Sequence, residues 1–186
     1  MSAVWDGTTR VESLKDWANE VRQRLADHAK RYEWDAVFAI LAEHPRYVNA
    51  WRPGGSSWYA PLHQAAHGGA PLPVVERLLA AGAWRGLRTA EGERPVDIAA
   101  RRGWTHLLDR LRPQPRLHVP TDQLQAIQRN FHDVIHGRVH ELVTTQRLRL
   151  PELEVLLDLD KPRVWFPVPG MYGGFEFLLE NEQGQA

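Results

Sequence analysis

Three histidines recur at intervals of four residues within a long run of helical apolar spacing. They are His132, His136 and His140. Residues four apart lie on the same side of a helix, so the imidazole rings could share one stripe, as a two-histidine metal site requires. No Glu-x-x-His pattern accompanies them, and no second segment supplies further ligands. The spacing therefore favours a solvated helix flank that is sensitive to pH near about 6, and we expect no metal.

A glycine-rich turn between two aromatic segments is the second place where a ligand could bind. The turn runs from Pro169 to Gly174. Its glycines permit positive φ angles and close approach of another group. It has neither the lysine nor the following helix of a phosphate-binding loop. The apolar flanks favour packing against the protein's own helices, with a ligand or partner contact as the alternative. The residues of that secondary contact are Trp165, Phe166, Met171 and Tyr172.

Serine and carboxylate chemistry has little support in the sequence. Neither Ser56 nor Ser57 lies in the Gly-x-Ser-x-Gly turn that exposes an acyl-transfer nucleophile. Helical spacing puts Glu152 and Glu154 on different faces, so these carboxylates do not form an acid–base pair. The chain has no cysteine, which excludes disulfides, thiolate metal sites and a cysteine nucleophile. We therefore expect no catalytic residues and no cofactor.

The composition is that of a globular protein without an overall electrostatic bias. Hydrophobic residues make up 43% of the 186 positions and charged residues 25%, which favours a folded core. Lys plus Arg total 23, as do Asp plus Glu, so no net field attracts nucleic acid or an anionic membrane. No segment approaches the roughly 18 apolar residues of a membrane-spanning helix, and no signal-peptide core precedes the first helix. We expect a cytoplasmic protein that binds neither nucleic acid nor membrane.

One sequence pattern occurs twice in the middle of the chain. Pro61 and Pro95 open the two copies and are 34 residues apart, close to a repeat period of about 33. The matching segments are Ala60–Ala66 followed by Val75–Ala83, and Arg94–Ala100 followed by Leu107–Leu111. This pattern closely resembles that of the ankyrin repeat family.

The resemblance assigns structural roles to several residues. Pro61 begins a helix, where its missing amide hydrogen costs nothing. His63 and Asp97 occupy the position whose side chain bonds the backbone of neighbouring loops. Gly82 has the place of a left-handed helix stop. Trp58 stands where the family usually has a turn glycine, which makes the loop at residues 51–60 unusual.

Elements outside the two copies follow from apolar periodicity. Apolar spacing predicts a helix from Val11 to about residue 32 and a short second helix that ends at Pro45. Thr121 is the expected N-cap of a long helix to about residue 143, and Pro151 opens a shorter helix. Two aromatic and β-branched runs, residues 163–168 and 175–179, predict a β-hairpin. Pro167 marks its first strand as an edge strand. Residues 1–10 have no periodicity, and we expect them to fray.

Together these features predict a mostly α fold in three regions. Residues 1–30 form an N-terminal helix, and residues 31–113 form ankyrin-like repeats with a divergent first unit. Residues 116–186 form a helical cap with the β-hairpin. The predicted fold is therefore a short ankyrin-repeat solenoid with a C-terminal cap, which would cover the apolar end of the stack.

The resemblance implies a non-enzymatic protein–protein interaction module of bacterial type. An immunity or antitoxin-type inhibitor is a narrower form of the same hypothesis. Ankyrin loop tips and inner helices form a concave surface, and aromatic residues beside arginines are typical of interface centres. The partner would be another protein with an acidic or mixed surface. The implied partner-binding residues are Trp51, Arg52, Trp58, Tyr59, Trp84, Arg85, Arg88 and Glu91.

An enzyme or a small-molecule binder is the alternative. Its pocket would lie between the ankyrin-like array and the C-terminal hairpin, where His132, His136 and Tyr172 would converge. A deep cavity with several convergent polar groups would favour this alternative.

Overall fold

The computed structural model describes residues 3–179 and is mostly α-helical, with a small three-stranded sheet. The chain divides into two compact units. One unit is Leu14–Pro113, and the other joins Met1–Ser13 to Gln114–Ala186. Positions 1–2 and 180–186 of the predicted regions lie outside the described residues. Among residues 3–179, none of the helices combines the length and apolar character needed to span a membrane.

The Leu14–Pro113 unit consists of three pairs of helices. The pairs are α1 (Asp16–Lys30) with α2 (Trp34–Glu43), α3 (Pro61–Gly68) with α4 (Leu72–Ala80), and α5 (Pro95–Arg102) with α6 (Leu108–Leu111). Short 3-10 helices at Pro45–Tyr47 and Thr105–Leu107 complete the unit. The first helices of the pairs lie side by side, because α3 contacts both α1 and α5. Ala65, Ala66 and Ala99 are fully buried at these contacts, where small side chains let the helices approach closely.

Local sequence signals set the ends of these helices. Pro61 and Pro95 occupy the first helical positions, as predicted. The left-handed residues Gly69 (φ 65°) and Gly103 (φ 78°) end α3 and α5, and Gly82 (φ 94°) follows α4 as predicted. The first pair has the same turn, but there the left-handed residue is Tyr32 (φ 61°).

Helix α4 begins at Leu72, and Pro73 lies in its first turn, where a missing amide hydrogen leaves no bond unmade. The predicted helix start at Val11 is wrong. A 3-10 turn at Val11–Ser13, which belongs to the other unit, precedes α1, and α1 starts at Asp16.

The second unit combines one long helix with the sheet. Helix α7 (Thr121–Gln146) contains a non-helical residue, Val139. A 3-10 helix at Leu153–Asp158 follows it. The strands are β1 (Ala3–Val4), β2 (Arg163–Pro167) and β3 (Gly174–Leu178), in the order β1-β2-β3.

The predicted hairpin is confirmed, and its register is regular. Strands β2 and β3 are antiparallel, with Val164 opposite Phe177 and Phe166 opposite Phe175. Burial alternates along β2, and the buried side chains are those of Val164 and Phe166. This alternation is what a strand with one face on a core requires.

Of the first ten residues, residues 3–5 are ordered by the sheet, contrary to the prediction that residues 1–10 fray. Strand β1 pairs in parallel with β2, and the amide of Trp5 donates to the Trp165 carbonyl at 2.8 Å. Strand β2 is therefore central, and Pro167 does not mark an edge strand. Strand β1 pairs with β2 only at Val164 and Trp165. The missing amide hydrogen of Pro167 therefore leaves no bond to β1 unmade.

The helical starts of this unit differ slightly from prediction. Thr121 is the first residue of α7 and Pro120 holds the N-cap position, so the expected threonine cap is absent. The shorter helix begins at Leu153 rather than Pro151 and has 3-10 geometry.

Candidate functional site

A groove of about 660 Å³ opens on the Leu14–Pro113 unit. Its walls come from the inner helices α1 and α3 and from the two loops that precede α3 and α5. The helix side contributes Ala26, Lys30, Tyr32, Gln64 and His67. The loop side contributes Arg52, Gly55, Ser56, Ser57, Tyr59, Thr89 and Glu91.

His63 joins the two loops from below the groove. Its Nδ1 accepts a hydrogen bond from the Ala60 amide at 3.1 Å, so Nε2 carries the proton and donates to the Leu87 carbonyl at 2.9 Å. The ring is fully buried. The predicted structural role of this histidine is therefore confirmed. The Ala90 amide adds a direct bond between the loops by donating to the Ser57 carbonyl at 3.0 Å.

The second loop is a tight turn built around Thr89. The Thr89 amide donates to the Glu93 carbonyl at 2.9 Å, and the Thr89 hydroxyl accepts from the Glu91 and Glu93 amides at 3.3 and 3.2 Å. Gly92 supplies the positive φ that closes the turn. Asp97 holds the end of this loop by accepting from the Arg94 amide at 2.9 Å, as predicted. The exposed Glu91 side chain stands at the tip of the turn.

The first loop is fastened to helix α1 by side chains. The Arg52 guanidinium donates to Gln23 Oε1 at 2.7 Å and forms an ion pair with Asp27. From inside, the buried Arg22 side chain donates to the Trp51 carbonyl at 2.9 Å. The charge of Arg52 is therefore compensated within the protein.

The helix wall of the groove centres on His67. The Tyr32 hydroxyl lies 2.9 Å from His67 Nδ1, and the Tyr59 ring centroid lies 6.2 Å from the imidazole. Burial, then the charges of Arg102 and Arg101, lower the pKa of His67 below its ordinary value. A neutral His67 accepts a hydrogen bond from the Tyr32 hydroxyl.

Tyr59 also keeps its proton at neutral pH. Burial is the main cause that raises the pKa of its phenol, and the nearby Glu93 carboxylate adds to the effect. Tyr59 and His67 are therefore uncharged hydrogen-bonding groups.

Three of the predicted partner-binding residues line the groove. These are Arg52, Tyr59 and Glu91. Trp58 is half-buried beside the groove, with its ring centroid 6.3 Å from that of Trp51. Arg88 is half-buried and donates to the Gly92 carbonyl within its own turn at 2.7 Å.

The remaining predicted contacts belong to the interior or to another part of the surface. Trp51 and Trp84 are only 2% and 8% exposed, so their rings support the loops from inside instead of facing a partner. Arg85 donates to the Arg110 carbonyl at 2.8 Å, away from the groove lining.

Sequence reasoning missed the helix wall of the groove. Lys30, Tyr32, Gln64 and His67 line it, yet the prediction named loop residues alone. A partial signal was present, because Lys30 and Gln64 are polar residues within helices that the sequence predicts. Their proximity across more than one repeat could be found only by stacking the helix pairs.

The glycine-rich turn shows a similar division between interior and surface. Phe166 of the predicted contact set is fully buried in the core of its unit, so it does not face a ligand. Trp165 and Met171 are half-buried, and Tyr172 at the turn is fully exposed.

The three histidines on α7 do not form a single site. His132 Nε2 donates to the Pro151 carbonyl at 2.8 Å, so this imidazole has a structural role. The Nδ1 atoms of His136 and His140 lie 3.3 Å apart beside the irregular Val139. Within residues 3–179, no group of three or more metal-binding side chains has the geometry to hold an ion.

No family model matches this chain, and no curated protein matches it either. The geometry of the groove and the sequence pattern around it are therefore the basis for a functional proposal.

Proposed function

We propose that residues 14–113 form a short ankyrin-like array whose groove binds a segment of another protein without catalysing a reaction. Two observations support the ankyrin-like character. The repeated pattern begins at Pro61 and Pro95, and each copy is a pair of helices preceded by a loop. The first pair, α1 with α2, shares their left-handed turn at Tyr32. The array would thus have three units, the first of which includes α1.

One observation carries the proposed binding function. Arg52, Tyr59 and Glu91, chosen from sequence as contact residues, lie around a single groove. Lys30, a second tyrosine, a histidine, an amide and hydroxyls line most of the rest of it, and such mixed aromatic and polar surfaces suit protein partners. Tyrosine is also enriched among residues that contribute most to binding.

The polar groups of the groove favour binding over acyl transfer. A serine nucleophile needs a general base, most often a histidine, within hydrogen-bonding distance. Neither Ser56 nor Ser57 makes a side-chain hydrogen bond to a histidine in the described chain, and His67 Nδ1 is occupied by Tyr32. This arrangement supports a recognition surface.

The proposal can be tested by filling the groove. Ser56 is exposed and lines it, so Ser56→Trp adds a bulky ring without disturbing the core. Ala42→Trp, on the exposed side of α2, adds the same ring away from the groove. Tagged full-length proteins would be used to capture partners from a lysate of the source cells, with quantitative mass spectrometry of what co-purifies.

The expected result is a protein recovered with the wild type and with Ala42→Trp but lost with Ser56→Trp. Circular dichroism would establish that both variants are folded. Equal recovery of every captured protein with all three baits would contradict a role for this groove.

A further inference from the structure

We propose that the bound segment carries an acidic side chain that faces Lys30 and a basic side chain that faces Glu91. This inference rests on the proposed binding function and specifies the chemistry of the partner at the same groove. It follows from which charges of the groove are compensated within the protein and which are not.

Lys30 provides the uncompensated positive charge. It is the last residue of α1, it is exposed, and it lines the groove. Its ammonium forms no ion pair or side-chain hydrogen bond with residues 3–179, whereas its neighbour Arg31 is paired with Glu33. The other lining cation, Arg52, is paired with Asp27. A carboxylate of the partner therefore finds one available cation, at the helix side.

Glu91 provides the uncompensated negative charge. Backbone bonds to Thr89 hold its turn, but its carboxylate makes no ion pair or hydrogen bond with the described side chains. The nearby Glu93 is neutralised by Arg101, whose Nε lies 2.8 Å from Glu93 Oε1. A basic group of the partner therefore finds one available carboxylate, at the loop side.

Apart from Arg52, which is paired with Asp27, the other polar groups that line the groove are uncharged. Tyr32, Tyr59 and Gln64 offer hydroxyl and amide groups, and the lowered pKa of His67 keeps its ring neutral at pH 7. Such groups suit the peptide amides and side chains of an extended segment. The available charges thus have a fixed order, and charge order across an interface contributes more to specificity than to affinity.

A protein segment fits this groove better than a free zwitterionic metabolite. Small-molecule sites usually enclose most of their ligand. Here Lys30, Ser56, Ser57 and Glu91 are all exposed, so a small ligand would leave the charged groups of the site partly in water. A longer chain can cover the groove and keep both charge pairs partly shielded.

The experiment selects binders without knowledge of the natural partner. A random linear peptide display library is selected on the full-length wild-type protein. Enriched peptides are synthesised, and their affinities are measured by fluorescence anisotropy. Each is tested against Ser56→Trp, Lys30→Glu and Glu91→Lys. Lys15→Glu and Glu43→Lys are matched controls, because both positions are exposed and do not line the groove.

We expect enriched peptides to contain one acidic and one basic residue in a constant order. Lys30→Glu should weaken binding by about tenfold, and changing the peptide's acidic residue to lysine should restore most of it. Glu91→Lys should weaken binding similarly, and changing the peptide's basic residue to glutamate should restore most of the affinity. The two control variants should change affinity by less than about twofold.

Two other outcomes separate this inference from the proposed function. In the first, peptides bind poorly to Ser56→Trp but bind Lys30→Glu and Glu91→Lys as tightly as the wild type. This outcome would overturn the charge order and leave the groove as a binding site. In the second, no peptides are enriched, or the enriched peptides bind Ser56→Trp as tightly as the wild type. This outcome would overturn both proposals.

Discussion

The Tyr32 hydroxyl and His67 Nδ1, 2.9 Å apart, connect the turn after α1 to the last turn of α3. The Tyr32 ring also covers Gly68, where any Cβ would collide with it. On the other side, the Trp104 ring covers Gly69, and its indole donates to the His67 carbonyl at 3.1 Å. The end of α3 is thus held by both neighbouring helix pairs, and these bonds form the helix wall of the groove.

Lowering the pH should loosen this wall. Burial and the charges of Arg102 and Arg101 lower the pKa of His67 below 6.5, so the folded protein favours the neutral ring. The unfolded chain then binds more protons, and the free energy of unfolding rises with pH in this window. The stabilisation is complete above the unfolded pKa of about 6.5 and is lost as pH falls through the lowered value.

Hydrogen exchange of residues 61–69 is the direct measurement. Wild-type protection should fall between about pH 7 and pH 5, and His67→Gln should flatten this dependence. His118→Gln, an exposed histidine of the other unit, controls for the loss of a histidine elsewhere. An equal pH dependence in wild type and His67→Gln would show that another group is responsible.

His63→Ala should be more destabilising than Asp97→Ala, although the two residues occupy equivalent positions. His63 is fully buried, and its removal leaves the Ala60 amide and the Leu87 carbonyl without partners. We expect a loss of about 2–4 kcal/mol in the free energy of unfolding. Asp97 is partly exposed and bonds only its own loop, so its loss should cost about 1 kcal/mol. Urea denaturation measures both, and the reverse order would contradict the bridging role of His63.

Trp58 adopts a backbone conformation that normally belongs to glycine. Its φ is +56°, at the position where the repeat pattern expects a turn glycine. A left-handed conformation costs a residue with a Cβ about 1 kcal/mol or more. Trp58→Gly should therefore be about 1 kcal/mol more stable than Trp58→Ala. Both variants lose the same indole contacts, so their difference isolates the backbone.

Ser57 supplies the matched control for this comparison. It is exposed and its φ is not positive, so Ser57→Ala should be at least as stable as Ser57→Gly. Thermal unfolding of the four variants compares the stability of glycine and alanine at each position. If the glycine and alanine variants of Trp58 unfold alike, the position carries no backbone strain.

Local signals explain what could be predicted from sequence. Pro61, Pro95 and Gly82 act on the residues beside them, so the helix ends they mark were found correctly. The roles of His63 and Asp97 followed from the repeat pattern. Arg52, Tyr59 and Glu91 were named from the resemblance to ankyrin repeats, whereas the helix wall of the groove depends on how the helix pairs stack.

The features that sequence reasoning missed depend on distant partners. Strand β1 is two residues long, too short for a periodic signal, and exists because Val164 and Trp165 lie beside it. The burial of Trp51 and Trp84, which are 2% and 8% exposed, depends on what covers their loops in the folded unit. Propensity gives no information on such coverage, since tryptophan is common both in cores and at interfaces.

Trp5 should prove essential to the unit that contains the sheet. Its side chain is 1% exposed, and its indole donates to the Arg149 carbonyl at 2.8 Å. The buried Arg149 guanidinium lies 5.1 Å from the centroid of the Trp5 ring and forms an ion pair with the half-buried Glu152. Trp5→Ala would remove the ring, open a cavity and expose this pair to water. We expect a loss of about 3–5 kcal/mol in the free energy of unfolding of this unit.

The measurement must distinguish this unit from the other. Hydrogen exchange of residues 163–167 reports the sheet, whereas residues 61–68 report α3. Protection should fall in the sheet of Trp5→Ala. Trp17→Ala provides the contrast, because this residue is 48% exposed and the Arg46 guanidinium lies 5.4 Å from the centroid of its ring. Its loss should cost less than about 1 kcal/mol. Unchanged protection of β2 in Trp5→Ala would mean that the N-terminal strand contributes little to the stability of the sheet. The lack of periodicity in residues 1–10 led to that expectation.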